Sequence, residues 1–211
     1  MVRKTVFSGN DVVKAGLAVM DKDGIEKFSA RRVAEEMGAS TAPVYSNFAN
    51  MDDLIVAVKM AAVELLLDVT QEEPTDNPFF NMGVGYLEFA RRHPLLYGAL
   101  FLQANDEFVA GPGVAKILLE RMAVLPDLEH LKPVERTVLL RKMAIFSHGL
   151  ATLICSEIPP EFEWGDILQL LEEVGDAILA DAVARSPRTD EDLARLGSFC
   201  EIPLQPTKDA K

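Results

Sequence analysis

The chain has 211 residues, 49% of them apolar, so it can bury a sizeable core and global disorder is excluded. Its formal charge is −12, yet residues 1–50 hold seven Lys/Arg against six Asp/Glu, so the acidity lies in the remainder. Taken whole, that charge argues against nucleic acid; taken by segment, it describes a locally basic head on an acidic body.

The chain opens "MVRKTVFSGNDVV", where no apolar run follows the basic residues and no secretory signal is expected. From about Ser8 to Lys22 the spacing of Val12, Val13, Leu17 and Met20 predicts a helix that stops at Gly24. "SARRVAEEMG" predicts a second helix, with Ser29 as N-cap and Gly38 as the left-handed residue after its end. A short third helix follows from Ser40 to Phe48, with Val44 and Phe48 inward and Pro43 inside its first turn, where a missing N–H costs nothing. No residue between Glu36 and Asp52 is charged. Two short helices joined by a tight turn near Gly38 have the helix-turn-helix layout, with Val33, Ala34 and Met37 facing in. Asn50 then caps a long helix, expected to run to about Glu73 with Leu54, Val58, Ala61/Ala62, Leu65 and Val69 on one stripe and Asp52 and Asp53 in its first turn. Its run "LIVAVKMAAVELLLDV" is broken by Lys59 and Glu64 and is shorter than the roughly 20 residues of a spanning helix, so no membrane partner and a cytoplasmic location are expected.

The stretch "FSARRVAEEMGASTAPVYSNFANMDDLIVAV" resembles the DNA-binding domain of the tetracycline-repressor (TetR) family of bacterial transcriptional regulators. The likeness rests on Phe28-Ser29, Arg32-Val33-Ala34, Gly38, Val44-Tyr45, Phe48 and the acidic pair before Leu54, and it covers about the first 60 residues. It implies that Ser29 caps the second helix and bonds a phosphate, that Arg31 reaches a base edge or the backbone, and that Thr41, Ala42 and Pro43 face bases. Tyr45 would donate to a phosphate, and Ser46 and Asn47 would reach base edges or backbone. Met51 departs from the pattern, since a Lys that meets a phosphate is common there. A recognition helix without Arg or Lys cannot make the bidentate guanine contact, which leaves the Thr41 hydroxyl, the Asn47 amide and apolar faces suited to thymine methyls. Arg3, Lys4, Lys14, Lys27, Arg31 and Arg32 are the candidates for phosphate attraction. If about three engage per subunit, a dimer has a log–log salt slope near −5.

From about Asn77 the prolines Pro78, Pro94, Pro112, Pro126, Pro133, Pro159, Pro160 and Pro187 separate five or six further helical runs. The last two long ones carry apolar residues over a wide arc, including Ile167, Leu171, Val174 and Ile178 with Leu170, Ala177 and Val183 beside them, which predicts a four-helix dimer interface. The resemblance also implies a small-molecule effector site in this part, with Phe89, Tyr97, Phe101, Met122, Met143, Phe146, His148 and Trp164 as candidate lining. Any one of these aromatic and Met residues at helical spacing is more often core than pocket. His93 and His130 adjoin helix ends and are expected in solvent. Cys155 and Cys200 lack a CxxC or Cys/His cluster and read as reduced thiols; no metal site, cofactor or catalytic constellation is visible.

The expected fold is therefore all-α: a three-helix helix-turn-helix DNA-binding domain over 1–50, a linking helix over 51–73, a larger ligand-binding and dimerisation domain over 51–185, and a tail over 186–211. The expected function is that of a dimeric regulator, most often a repressor, released from a palindromic double-stranded DNA operator by an effector. The alternatives are an activator of the same family and an all-helical scaffold protein whose N-terminal hairpin is merely structural.

Overall fold

The computed structural model describes residues 7–103, 112–156, 163–186 and 189. Arg3, Lys4, Pro159, Pro160, Pro187, Cys200 and nearly all of the expected tail lie outside these residues. Among the described residues there are nine α-helices, one 3₁₀ turn and no strand.

Helix α1 (Gly9–Asp23) begins with a capping box: the Asp11 N–H donates to Ser8 Oγ at 3.2 Å, and the Ser8 N–H donates to the Asp11 carboxylate at 2.8 Å. It ends at Gly24, whose φ of 77° suits a residue without a side chain. After the 3₁₀ turn Ile25–Lys27, α2 (Ala30–Glu36) is capped by Ser29, whose Oγ accepts the Arg32 N–H at 3.4 Å. Its far end is a Schellman motif, with the Gly38 N–H bonded to Glu35 O at 3.1 Å and the Ala39 N–H to Ala34 O at 2.9 Å. Gly38 has a φ of 62°, the left-handed conformation its position predicts. Val33 and Ala34 are buried as expected, and Met37 is partly buried against them. Helix α3 (Ala42–Asn47) crosses them with Val44 inward and Pro43 in its first turn.

Helix α4 (Met51–Val69) starts at Asn50, whose Oδ1 accepts the Asp53 N–H at 2.8 Å. It ends short of Glu73, where the Thr70 hydroxyl donates to Leu67 O at 2.8 Å and another helix packs close. Helix α5 (Pro78–Arg92) crosses it at Gly85, where a Cβ would lie 2.5 Å from Thr70 Cα and 2.6 Å from Val69 O. The buried stripe of α4 runs through Leu54, Val58, Ala62, Leu66 and Val69, so Leu66 takes the place expected for Leu65, and Lys59 is buried among them.

Helices α6 (Pro94–Phe101), α7 (Pro112–Met122), α8 (Pro133–Cys155) and α9 (Trp164–Ala184) complete the body. Four of the five body helices open on a proline, the position where the ring preorganises the first turn. The main core is continuous from Val12 in α1 to Leu171 in α9, and a second cluster gathers Met122, Leu128, Leu131, Leu139 and Ala182. Arg121 on α7 donates to Thr70 Oγ1 at 2.8 Å, bringing its positive charge to the C-terminal end of α4. By length and composition α8 is apolar enough to cross a membrane; it packs on α5 and α9 yet leaves Ile145 and Leu153 more than half exposed.

Candidate nucleic-acid interface and effector site

The head presents α3 on a buried hook. Val44 is 1% exposed and anchors the helix, whereas the next residue, Tyr45, is 60% exposed. Ala42, Ser46 and Asn47 are also exposed, and Thr41 and Pro43 are partly so. Thr41 is the N-cap without making a side-chain capping bond: the second helical residue is Pro43, which has no N–H, and the Val44 N–H goes to Thr41 O at 3.1 Å. The Thr41 hydroxyl is therefore partly exposed at the helix start and has no capping duty.

Ser46 and Asn47 lie on the exposed side, with part of their hydrogen-bonding capacity used within the head. The Ser46 hydroxyl donates to Pro43 O at 3.0 Å, and Asn47 Nδ2 donates to Pro43 O at 2.8 Å and to Phe7 O at 3.4 Å. Asn47 thus ties the end of α3 to the chain entering α1. On α2, Arg31 Nε bonds Glu35 Oε1 at 2.9 Å, and Arg32 lies 3.5 Å from Asp23 and 3.7 Å from Glu35. The Arg31 bond holds the Glu35 carboxyl below the usual carboxylate range. Lys14 and Lys27 are exposed and form no ion pair among the described residues.

In the body, Tyr97, Phe101 and His148 come together with a residue the sequence reading missed, Tyr86. The Tyr97 hydroxyl lies 2.5 Å from His148 Nδ1 and 3.1 Å from the Tyr86 hydroxyl, which is 3.4 Å from the same Nδ1. Tyr86 meets Tyr97 edge-on at 5.8 Å between centroids, and Phe101 lies 4.9 Å from Tyr97. Burial pushes the Tyr97 phenol up to about 12 and raises Tyr86 as well, so both are neutral donors. Burial also lowers the basicity of His148, which favours a neutral ring able to accept the Tyr97 proton at Nδ1. Thr152 turns its hydroxyl to His148 O at 2.8 Å, on the next turn of α8. Tyr86 lies three residues before Phe89, so helical spacing on α5 was the signal that could have found it.

The remaining candidates make other contacts. Phe89 is fully buried and stacks on His93 at 5.5 Å. Met122 belongs to the second core cluster, which Met143 also touches. Trp164 lies beneath the Arg91 guanidinium at 5.1 Å, a cation–π contact. Phe146 packs against the main core. His93 is not left to solvent: its Nδ1 lies 2.9 Å from Asp21 Oδ2 of α1, while Leu95 approaches Gly24. Helix α6 therefore touches the Tyr–His cluster with Tyr97 and the head with its first turn. Among the described residues no group of three or more His, Cys, Asp or Glu could hold a metal ion.

A helix-turn-helix head with an exposed third helix, set on an all-helical body, defines a class: helical DNA-binding transcription regulators. Residues 12–58 match the family described as bacterial regulatory proteins, tetR family. The chain carries the N-terminal domain of the TetR family and, over most of its length, the fold of TetR-family regulators. A tetR-family transcriptional regulator from Streptomyces coelicolor superposes with a TM-score of 0.67 at 16% identity, covering 91% of this chain and 87% of that one. The TetR family protein ActR of Streptomyces coelicolor, in complex with (S)-DNPA, gives 0.58 at 18% identity, with 86% and 100% covered. A TetR variant from Acinetobacter baumannii AYE, in complex with minocycline, gives 0.54 at 14% identity, with 84% and 95% covered. A search of curated proteins gives no match.

Proposed function

We propose that the chain is a homodimeric repressor that binds a palindromic operator through α3 and leaves it when a small molecule enters the body; it acts by binding and not as an enzyme, in the cytoplasm. The observation that carries the DNA reading is the split of α3 into a buried Val44 and an exposed Tyr45 on a helix with no charge of its own. Thr41, Ala42, Pro43 and Tyr45 are assigned to the duplex. Ser29 and Arg31 are assigned to its phosphates, and Ser46 and Asn47, exposed at the end of α3, to base edges or backbone.

Dimerisation is assigned to α8 and α9. Ile145, Gly149 and Leu153 recur every four residues on one exposed face of α8, and a stripe of that kind is what a second copy would cover. The effector is assigned to the region around Tyr86, Tyr97, Phe101 and His148, whose neutral donors and acceptor suit an uncharged, hydrogen-bonding ligand with an aromatic face. The solved relatives in complex with minocycline and (S)-DNPA support a small-molecule partner. Helix α6 joins that cluster to α1, so a ligand that re-partners Tyr97 shifts the element the head leans on.

The test is a mobility shift on DNA upstream of the protein's own gene. Salt-sensitive, sequence-selective binding that Tyr45→Ala weakens at least tenfold supports the reading. Equal affinity for all duplexes, or a slope near zero against salt, overturns it.

A further inference from the structure

The head contains an arrangement that the DNA reading does not use. Two of its arginines are held by its own acids. Glu35 sits one turn from Arg31 and bonds it at 2.9 Å; it also lies 3.7 Å from Arg32, which Asp23 approaches at 3.5 Å from the end of α1. Asp23, Arg32 and Glu35 line one shallow groove between α1 and α2 together with Val19, Lys22 and Glu36. Arg31 itself is 86% exposed, so its pairing is not a matter of packing.

Sequence-blind attraction to duplex DNA scales with the number of phosphates the protein neutralises. Because α3 carries no charge, α2 and its neighbours supply that attraction, and Glu35 competes with phosphate for two of the cations there. Resting on the DNA-binding reading above, we propose that Glu35 is a specificity-determining residue, which holds Arg31 and Arg32 back from arbitrary duplex so that only a site aligning its phosphates with them draws them off. The acid has two effects of the same sign: it occupies the guanidinium donors, and its own charge repels the polyanion. Its carboxyl is held below the ordinary range by the Arg31 bond, so both effects persist at neutral pH.

The comparison variant is Glu36→Gln. Glu36 is exposed on the same helix and forms no ion pair among the described residues, so its loss changes net charge by the same amount without releasing an arginine. Gln keeps nearly the helix propensity of Glu, and circular dichroism melts of both full-length variants check that the fold is intact. The probe is a fluorescently labelled mixed-sequence duplex of about 30 base pairs, titrated by anisotropy from about 50 to about 200 mM KCl. Glu35→Gln is expected to tighten binding about three- to tenfold at the lowest salt and to steepen the log–log slope by about one per protomer. Glu36→Gln is expected to change affinity less than about twofold, as a charge change without a freed contact. Equal behaviour of the two variants, or no tightening by Glu35→Gln, overturns the proposal while leaving the DNA reading in place. Failure of wild type and both variants to bind at the lowest salt overturns the DNA reading itself, and this inference with it.

Discussion

Head and body are built on different rules. The head is made of short helices whose ends are fixed locally: the Ser8–Asp11 box, the Ser29 cap, the Gly38 turn and the Asn50 cap each satisfy backbone groups within a few residues. Helix starts in the body are set locally too, by prolines and by Asn77, Glu135 and Asp166, but how its helices cross is fixed by contacts distant in sequence, such as Gly85 on Thr70, Arg121 on Thr70 and Tyr97 on His148. A part that must present an unchanging face to DNA gains from local rules. Under the proposed function the body also responds to a ligand, and long-range contacts are packing that can rearrange.

The largest effect is expected at the helix crossing in the body. Gly85→Ala drives a methyl into the backbone of Thr70 and Val69, neither of which can rotate away, and costs about 3 kcal/mol in chemical denaturation. The matching change in the head is milder. A Cβ at Gly16 meets Val58 Cγ2 at 2.6 Å and the Phe28 ring at 3.4 Å, side-chain atoms that a small shift of α1 can clear, and the better helix propensity of Ala offsets about 1 kcal/mol of the strain. If Gly16→Ala proves the more damaging of the two, the contrast between backbone-limited and side-chain-limited packing fails.

The polar cluster comes next. Tyr97→Phe leaves His148 Nδ1 with only the Tyr86 hydroxyl at 3.4 Å, and is expected to cost about 1–2 kcal/mol. It should leave affinity for mixed-sequence duplex unchanged, because the head keeps its charges. His148 also gives the body a pH signature. Its folded pKa is lowered by burial below the ordinary value of 6.5, so the unfolded chain takes up the proton first as pH falls. Stability is therefore full above about pH 6.5 and declines as pH falls below it, through the window between the unfolded and folded values. Thermal melts from pH 7.5 to 5.5 should show that decline in wild type and a flatter profile in His148→Gln; parallel profiles would reject it.

The same division explains what the sequence could tell. Ser29, Gly38 and Asn50 were legible because each acts on its own neighbours, and the helix-turn-helix with its exposed face followed from them. The end of α4 at Val69 was only roughly legible: Pro74 marks a stop a few residues on, whereas the Thr70 bond to Leu67 O and the crossing of α5 at Gly85 lie at the actual end. Lys59 was read as an interruption of the apolar run, whereas the α4 stripe drifts far enough to bury it beside Val58 and Ala62. Tyr86, His93 and the separate contacts made by Phe89, Met122 and Trp164 depend on how the helices cross, which periodicity within one helix does not encode. Asn47 illustrates the intermediate case: its exposure was legible, but its bond to Phe7 O spans forty residues.

Smaller effects return to the head. Asn50→Ala removes the acceptor for the Asp53 N–H and is expected to cost about 1 kcal/mol, read as a lowered denaturation midpoint with an unchanged slope. Tyr45→Phe should do almost nothing to stability. The ring keeps whatever apolar contact it has, and its hydroxyl forms no hydrogen bond among the described residues, so the melting curve should overlay wild type within about 0.5 kcal/mol. The same substitution should weaken duplex binding severalfold if the phenol donates to a phosphate, with the loss similar for every sequence, because a phosphate contact carries no base information. A change in sequence preference would instead place Tyr45 at a base edge. A large stability loss would show that the exposed face of α3 serves the fold, which is the outcome that removes the distinction between a face held ready and a face merely left over.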